Sequence, residues 1–173
     1  MNLILFAIIA LFGLAIGSFL NVLILRKSVR KSLFGRSYCP GCKKTLFLVE
    51  LIPLISFLIQ KGRCRTCGVA LLWQYPLVEL GTATLFVASF AIFSSELSFD
   101  FSSLAALFLV WVGISAGIII FVYDLRYTII PDYAVIILFL VGSITSILRN
   151  SPLVTALSFQ NPLFSDVAYA LIL

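Results

Sequence analysis

Four cysteines, arranged as two C-x-x-C pairs, are the clearest candidates for metal ligands in this chain of 173 residues. The pairs, Cys39 with Cys42 and Cys64 with Cys67, are separated by 21 residues. Each pair lies on a predicted tight turn that points both sulfurs the same way, and four thiolates at tetrahedral geometry suit zinc. Because protein ligands then fill all four positions, we expect a structural zinc and not a catalytic one.

Two other interpretations of the cysteines are weaker. Unrelated free thiols would rarely fall at matched spacing twice, and a redox C-x-x-C normally comes with a thioredoxin-like βαβ context that this sequence lacks. Cationic neighbours such as Lys43, Lys44 and Arg63 favour the thiolate form. The basic flanks of the loop predict a reducing compartment, where metal binding is favoured over disulfides.

Asp124 is the second candidate for chemistry, because it follows about twenty apolar residues and therefore lies at a predicted membrane edge. Ionisable groups at such positions are costly and usually functional. A pair with Arg126, or a role in capping the turn, is an equal alternative on composition alone. Asp132, after Pro131, is interpreted as the N-cap region of the next helix. The chain contains no histidine, so any hydrolysis must use carboxylates, thiols or hydroxyls.

The composition indicates that lipid is the natural solvent of this chain. Hydrophobic residues make up 62%, charged residues only 11%, and the mean hydropathy is +1.17. A soluble globular core is therefore not expected. The predicted fold class is all-α, a polytopic transmembrane helical bundle with a cytosolic four-cysteine metal-binding loop after the first helix.

The apolar stretches divide the chain into three predicted regions. A first transmembrane helix occupies residues 1–25, the cysteine loop 26–68, and the remaining transmembrane helices 69–173. Within the last region we expect spans at about 69–93, 101–123 and 133–148, and the opening turns of a fifth helix at 166–173. The apolar stretch 46–59, inside the cysteine loop, is too short for a confident span and is predicted to be interfacial or packed under the metal site.

The distribution of positive charge predicts the orientation. Ten of the twelve Lys and Arg residues lie between Arg26 and Arg65, and by this topology only Arg149 lies outside the cytosol. The basic loop is therefore expected in the cytosol against anionic lipid, and nucleic acid is not an expected partner. A signal peptide is disfavoured, because the charges follow the first apolar stretch instead of preceding it.

Two features of the predicted helices concern packing. Gly13 and Gly17 form a G-x-x-x-G step, which either allows another helix to approach closely or consists of two tolerated glycines. Glu79, near the cytosolic end of its helix, is expected to make a hydrogen-bonded helix contact. The sequence shows no internal repeat.

Several blocks of this sequence resemble the prepilin peptidases, membrane aspartyl proteases that process type IV prepilins and type II secretion pseudopilins. The blocks, in the order of that family, are Gly17-Ser-Phe-Leu-Asn21-Val, Arg36-Ser-Tyr-Cys39-Pro-Gly-Cys42, Ile52-Pro53-Leu-Ile-Ser56, Gly62-Arg-Cys64-Arg-Thr-Cys67-Gly68, Tyr75-Pro76-Leu-Val-Glu79, and Asp124 with Ile130-Pro131-Asp132. Together they extend over most of residues 13–132, and their joint occurrence is far more specific than any one block.

The resemblance implies a site and a reaction. Asp124 corresponds to the first catalytic aspartate, the cysteine loop to the cytosolic zinc-binding region, and the substrate to a prepilin or pseudopilin leader peptide cut on the cytosolic side of the bacterial inner membrane. Some members also N-methylate the new terminus, so S-adenosylmethionine is an optional further cofactor. Aspartyl hydrolysis needs two carboxylates that share a proton, and Asp124 supplies one.

The sequence departs from the family pattern in two places. The family carries its second aspartate in a Gly-x-Gly-Asp motif, and no two glycines stand two residues apart here. We therefore expect a truncated chain, inactive alone, with that motif beyond residue 173; Asp166 is predicted at the opposite membrane face. The stretch Leu48-Val49-Glu50-Leu51 also replaces a usually polar, aspartate-containing segment.

Two rival functions belong to other classes. A non-catalytic membrane protein would use the cysteine loop to dock a cytosolic assembly partner. A small transporter would use Asp124 as a proton relay, but Glu79 is the only other ionisable residue within a predicted span.

Overall fold

The computed structural model describes residues 3–28, 37–39, 41–94 and 101–150. Its helices are α1 (Leu3–Ser28), α2 (Ile55–Ile59), α3 (Gln74–Ser94), α4 (Phe101–Tyr127) and α5 (Asp132–Asn150), with a short 3-10 turn at Leu48–Leu51. The described ranges contain two isolated β-bridges and no strand. The all-α prediction is therefore confirmed. The predicted fifth helix, Asp166 and the acidic connector through Glu96 and Asp100 lie outside the described residues.

Three of these helices are long and apolar enough to cross a membrane: Leu3–Arg26, Gln74–Phe93 and Ser103–Tyr127. They match three of the predicted spans. The fourth predicted span corresponds to α5, whose apolar part, Asp132–Ile147, is shorter than the other three. The stretch 46–59 forms only the 3-10 turn and α2, which are both far too short to span a bilayer.

Close packing of α1 on α3 is set by the two glycines of the G-x-x-x-G step. A Cβ added to Gly13 would lie 2.6 Å from the Cα of Ala83, and one added to Gly17 would lie 2.6 Å from the Cα of Glu79. Real Cβ atoms do not approach another carbon so closely, so neither position accepts a side chain without a shift of the helices. The step is therefore a helix contact, as the first of the two sequence interpretations proposed.

Two apolar clusters fill the bundle. One joins four helices at the end where α1 finishes and α3 begins, and it consists of Leu20, Ile24, Val78, Ile119, Tyr123 and Ala134. The other lies nearer the opposite end, where Phe86 stacks on Trp111 with ring centroids 4.9 Å apart. The indole N–H of Trp111 donates to the hydroxyl of Ser89 at 3.0 Å, so the half-buried ring satisfies its polar atom.

A tight turn joins α4 to α5. The backbone N–H of Thr128 donates to the carbonyl oxygen of Asp124 at 2.9 Å, and Thr128 adopts a left-handed conformation with φ 52°. That conformation ends α4, and Pro131 precedes the first residue of α5, Asp132. The predicted place of Asp132 at the start of a helix is observed, in the first turn of α5.

Candidate metal centre and membrane-edge carboxylate

The first cysteine pair lies on a short hairpin formed by residues 37–46, here called the first knuckle. The N–H of Cys39 donates to the carbonyl of Lys44 and the N–H of Lys43 to the carbonyl of Cys39, each at 2.9 Å. The N–H of Leu46 closes the base of the hairpin by donating to the carbonyl of Ser37 at 2.8 Å. This pattern fixes the turn on which the first two sulfurs sit.

Residues 62–71 form a second knuckle with the same three hydrogen bonds, each displaced by 25 positions, the separation of Cys39 and Cys64. The N–H of Cys64 donates to Val69, that of Gly68 to Cys64, and that of Leu71 to Gly62, at 2.9, 2.9 and 2.7 Å. The four-cysteine cluster is thus built from a structural repeat, although the sequence analysis found no internal repeat. Only the two cysteines and the final leucine are identical between the knuckles, so the sequence carries little signal of it.

The two knuckles bring all four sulfurs together. Every sulfur lies within 4.8 Å of every other, and the Cys39 and Cys67 sulfurs are 3.7 Å apart. A tetrahedral zinc with bonds of about 2.3 Å places its sulfurs about 3.8 Å from one another. Cys39 and Cys64 are buried, whereas Cys42 and Cys67 are exposed. The donor set and its spacing therefore fit a closed tetrahedral zinc site.

The acidities of the thiols differ across this cluster. The backbone N–H groups of Cys67 and Thr66 lower the pKa of the Cys64 thiol to about 6. At Cys67 the backbone N–H of Val69 lowers the pKa, but desolvation and the neighbouring sulfurs outweigh it and raise this pKa to about 11. One thiolate is therefore available at neutral pH before a metal arrives, and binding must displace protons from others.

The knuckles differ at the residue after the second cysteine. Gly68 has φ 70°, which glycine adopts without cost. The equivalent residue of the first knuckle is Lys43, with φ 57°. A side chain in the left-handed region costs about 1–2 kcal/mol, so the first knuckle carries local strain that the second avoids.

Glu79 connects the cysteine loop to the membrane helices. This buried side chain lies on α3, and its carboxylate accepts a hydrogen bond from the backbone N–H of Leu54 at 2.8 Å. The Ser18 hydroxyl on α1 also hydrogen-bonds to it. Leu54 has φ 59°, so the carboxylate holds a left-handed turn that directly precedes α2. The predicted helix contact of Glu79 is therefore made with the loop as well as with α1.

A polar network joins α1, α3 and α4 at the same end of the bundle. The side chain of Asn21, 1% exposed, donates to the carbonyl of Tyr75 at 3.1 Å and accepts from the Gln74 amide at 3.3 Å. The Gln74 side-chain oxygen in turn accepts from the Arg126 guanidinium. Gln74 follows the second knuckle closely in sequence. The end of α4 that carries Arg126 therefore lies at the same end of the bundle as the knuckles, here called the knuckle end.

Asp124 lies in the last turn of α4, and its side chain is exposed. In the part of the chain that the structure describes, Asp124 makes no ion pair with Arg126, whose guanidinium instead contacts Gln74 and lies 5.6 Å from the Tyr127 ring centroid. This argues against the alternative in which Asp124 serves only to pair with that arginine. The carboxylate thus lies at the knuckle end of an apolar helix, as the sequence predicted.

Comparison with known proteins gives one domain match and a set of relatives. Residues 11–93 match the family model of the bacterial peptidase A24 N-terminal domain. A prepilin leader peptidase/N-methyltransferase of Bacillus subtilis is 40% identical over 127 residues, which are 73% of this chain and 48% of that protein. Proteins of the same description from Aeromonas salmonicida and Legionella pneumophila are 37% and 30% identical, covering 73% and 82% of this chain and 50% and 55% of theirs.

This chain therefore spans about half the length of the curated relatives it matches. No solved structure matches it.

Proposed function

Because this chain belongs to the bacterial prepilin peptidase family, we propose that it forms part of a membrane-embedded aspartyl endopeptidase that cleaves the leader peptide of type IV prepilins or type II secretion pseudopilins. The relatives are named for leader cleavage, and the substrate of this chain is inferred from those names. The observation that carries the proposal is the exposed carboxylate of Asp124 in the last turn of an apolar helix, at the knuckle end of the bundle.

The proposed chemistry assigns Asp124 one half of a carboxylate pair. The two groups share one proton: the ionised member removes a proton from water, and the protonated member donates to the oxygen of the scissile carbonyl. The attacking water forms a tetrahedral intermediate. As the C–N bond breaks, the carboxyl that took the proton from water gives it to the leaving nitrogen, and the other carboxylate takes back the proton of the former carbonyl oxygen. Asp132 is not proposed as the partner, because it occupies the first turn of the next helix. A second aspartate from elsewhere in the complete enzyme is part of the proposal.

We propose a structural role for zinc, held by Cys39, Cys42, Cys64 and Cys67. With four thiolates around it, the metal has no open position for water or substrate, so it supplies cross-linking and not Lewis-acid chemistry. The metal would join two knuckles that lack a hydrophobic core of their own. The proposed location is the bacterial inner membrane with the knuckles in the cytosol, and the basic residues of the loop support that orientation.

N-methylation is proposed as a second activity of the complete enzyme, because the relatives carry it in their names. S-adenosylmethionine would supply the methyl group to the amine that leader cleavage exposes. No residue of this chain is assigned to that step.

A chimaera tests the proposed protease function. This chain would replace the matching half of the Bacillus subtilis relative, and the product would be co-expressed with a prepilin and assayed for leader removal by gel shift. We expect processing by the chimaera, loss of at least a hundredfold in rate for Asp124→Asn, and retained processing for the matched Asp132→Asn change. Normal processing by Asp124→Asn would show that this residue is not catalytic.

A further inference from the structure

A cavity of about 440 Å³ lies between α2 and the second knuckle. Its lining combines two aromatic rings, Phe57 and Trp73, with the aliphatic Leu58 and the cations Lys61 and Arg63. Both cations are exposed, and neither pairs with a carboxylate among the residues that the structure describes. The cavity therefore offers positive charge beside an apolar wall, and the proposed protease chemistry uses none of these groups.

The apolar wall of the cavity is held in place by packing between aromatic side chains and the neighbouring backbone. The rings of Phe57 and Trp73 pack edge to face with centroids 5.2 Å apart, which ties α2 to the residue that precedes α3. The Phe57 ring also covers Gly62, where an added Cβ would lie 3.1 Å from its Cζ atom. Lys61 and Gly62 both adopt left-handed conformations, with φ 50° and 67°, and turn the chain from α2 into the second knuckle.

The cavity lies beside the start of α3, a position that suits contact with a bilayer. Trp73 directly precedes α3, which is long and apolar enough to span a membrane, and tryptophan concentrates at membrane–water interfaces. Its side chain is 70% exposed, and that of Leu58 on the same cavity is 66% exposed. Exposed apolar side chains and exposed cations at the end of such a helix are the pattern of a surface that enters the headgroup layer.

We propose that this cavity binds an anionic phospholipid. The lipid phosphate would lie against Lys61 and Arg63, and the start of its acyl chains would lie against Leu58 and Trp73. Such a lipid would fix the depth of the second knuckle at the membrane surface. The proposal does not depend on the protease assignment, because it uses only the cavity and its place beside α3.

Fluorescence quenching tests the proposal on the whole chain reconstituted in nanodiscs. The chain has two tryptophans, so Trp111→Phe leaves Trp73 as the only reporter. Brominated phosphatidylglycerol in a phosphatidylcholine background should quench Trp73 more strongly than the same amount of brominated phosphatidylcholine. Each cation removed by Lys61→Ala or Arg63→Ala should weaken this preference by about fivefold. Native mass spectrometry of the unsubstituted chain, counting bound lipids, gives the same comparison without the tryptophan change.

The double variant Lys61→Ala with Arg63→Ala has a matched control in the first knuckle, because Lys43→Ala with Lys44→Ala removes the same two charges there. We expect that pair to leave the phosphatidylglycerol preference of Trp73 unchanged. Equal quenching by the two lipids in the parent would overturn the proposal, as would an equal loss from both pairs of substitutions, which would indicate diffuse attraction. Loss of the preference in inorganic phosphate, but not in chloride at the same ionic strength, would reassign the cavity to free phosphate.

Discussion

Gly17 on α1 and Glu79 on α3 meet backbone to backbone: a Cβ on Gly17 would lie 2.6 Å from the Cα of Glu79 and 3.0 Å from the Thr82 hydroxyl. The same stretch of α1 provides the Ser18 hydroxyl that hydrogen-bonds to the Glu79 carboxylate. Close helix approach and the anchoring of the cysteine loop are therefore achieved at one point of the bundle.

Gly17→Ala should destabilise the α1–α3 pair by about 1–3 kcal/mol, because the added methyl forces the helices apart. Thermal unfolding of the purified chain in detergent measures the effect. Gly81→Ala is the matched control, since an added Cβ there meets nothing within 4 Å. We expect the control to retain or slightly raise the stability, by up to about 1 kcal/mol. Equal stability of the two variants would contradict the close contact.

Lys43→Gly should stabilise the first knuckle by about 1 kcal/mol, because glycine adopts the left-handed conformation found there without strain. The measurement is zinc affinity by competition with a chelator, and the expected gain is about fivefold. The reverse change in the second knuckle, Gly68→Lys, should lower the affinity by a similar factor. A gain from both substitutions, or from neither, would show that the two turns are not equivalent.

The thiol pKa values predict how the metal-free protein responds to pH. The pKa of Cys64 lies below its ordinary value of 9.0, so its contribution to stability is present above pH 9 and is lost as the pH falls through about 6. The pKa of Cys67 lies above 9.0, so its contribution is present below pH 9 and is lost as the pH rises through about 11. Stability of the metal-free loop should therefore be greatest near pH 9.

Ultraviolet absorbance of the thiolates, followed during a titration in the presence of a chelator, checks this directly. The first thiol should ionise near pH 6, and Cys64→Ser should abolish that early step. Cys67→Ser should instead remove the latest step, near pH 11. An early step that survives Cys64→Ser would assign it to another cysteine.

Glu79→Leu should release the turn at Leu54, because the backbone N–H there would lose its acceptor at a cost of about 1–3 kcal/mol. Limited proteolysis measures the release as faster cutting between the 3-10 turn and α2. Glu79→Gln is the matched control, since its amide oxygen accepts the same hydrogen bond, and we expect a cutting rate close to that of the parent. Equal protection of the leucine variant would show that the carboxylate does not hold the turn.

Local spacing was enough to predict the clustering of the four cysteines and the main spans. The C-x-x-C pairs predicted a four-sulfur cluster, and uninterrupted apolar stretches predicted α1, α3 and α4, because both signals are carried by neighbouring residues. The α5 helix was also predicted, although its apolar part is shorter than the spans before it.

Features that depend on distant backbone atoms were not predictable. The carboxylate of Glu79 accepts a hydrogen bond from the backbone N–H of Leu54, which lies 25 residues earlier in the chain. No side-chain pattern marks such a backbone donor. The repeat of the two knuckles was not predicted from the sequence, because it is defined by backbone hydrogen bonds. Only three of its ten paired residues, two cysteines and a leucine, are identical. Gln74 was likewise not singled out, because its role arises only when α1 and α4 pack beside it.

The glycine contact between α1 and α3 also affects the cysteine loop, because it lowers the entropic cost of closing that loop. Residues 29–73 connect two helices that already pack together, with Gly17 against Glu79 and Asn21 hydrogen-bonded to Tyr75, so closure of that segment does not depend on a metal. Chelation should therefore unfold the knuckles as a local unit and leave the helical bundle intact, with helical circular dichroism unchanged while the loop becomes sensitive to protease.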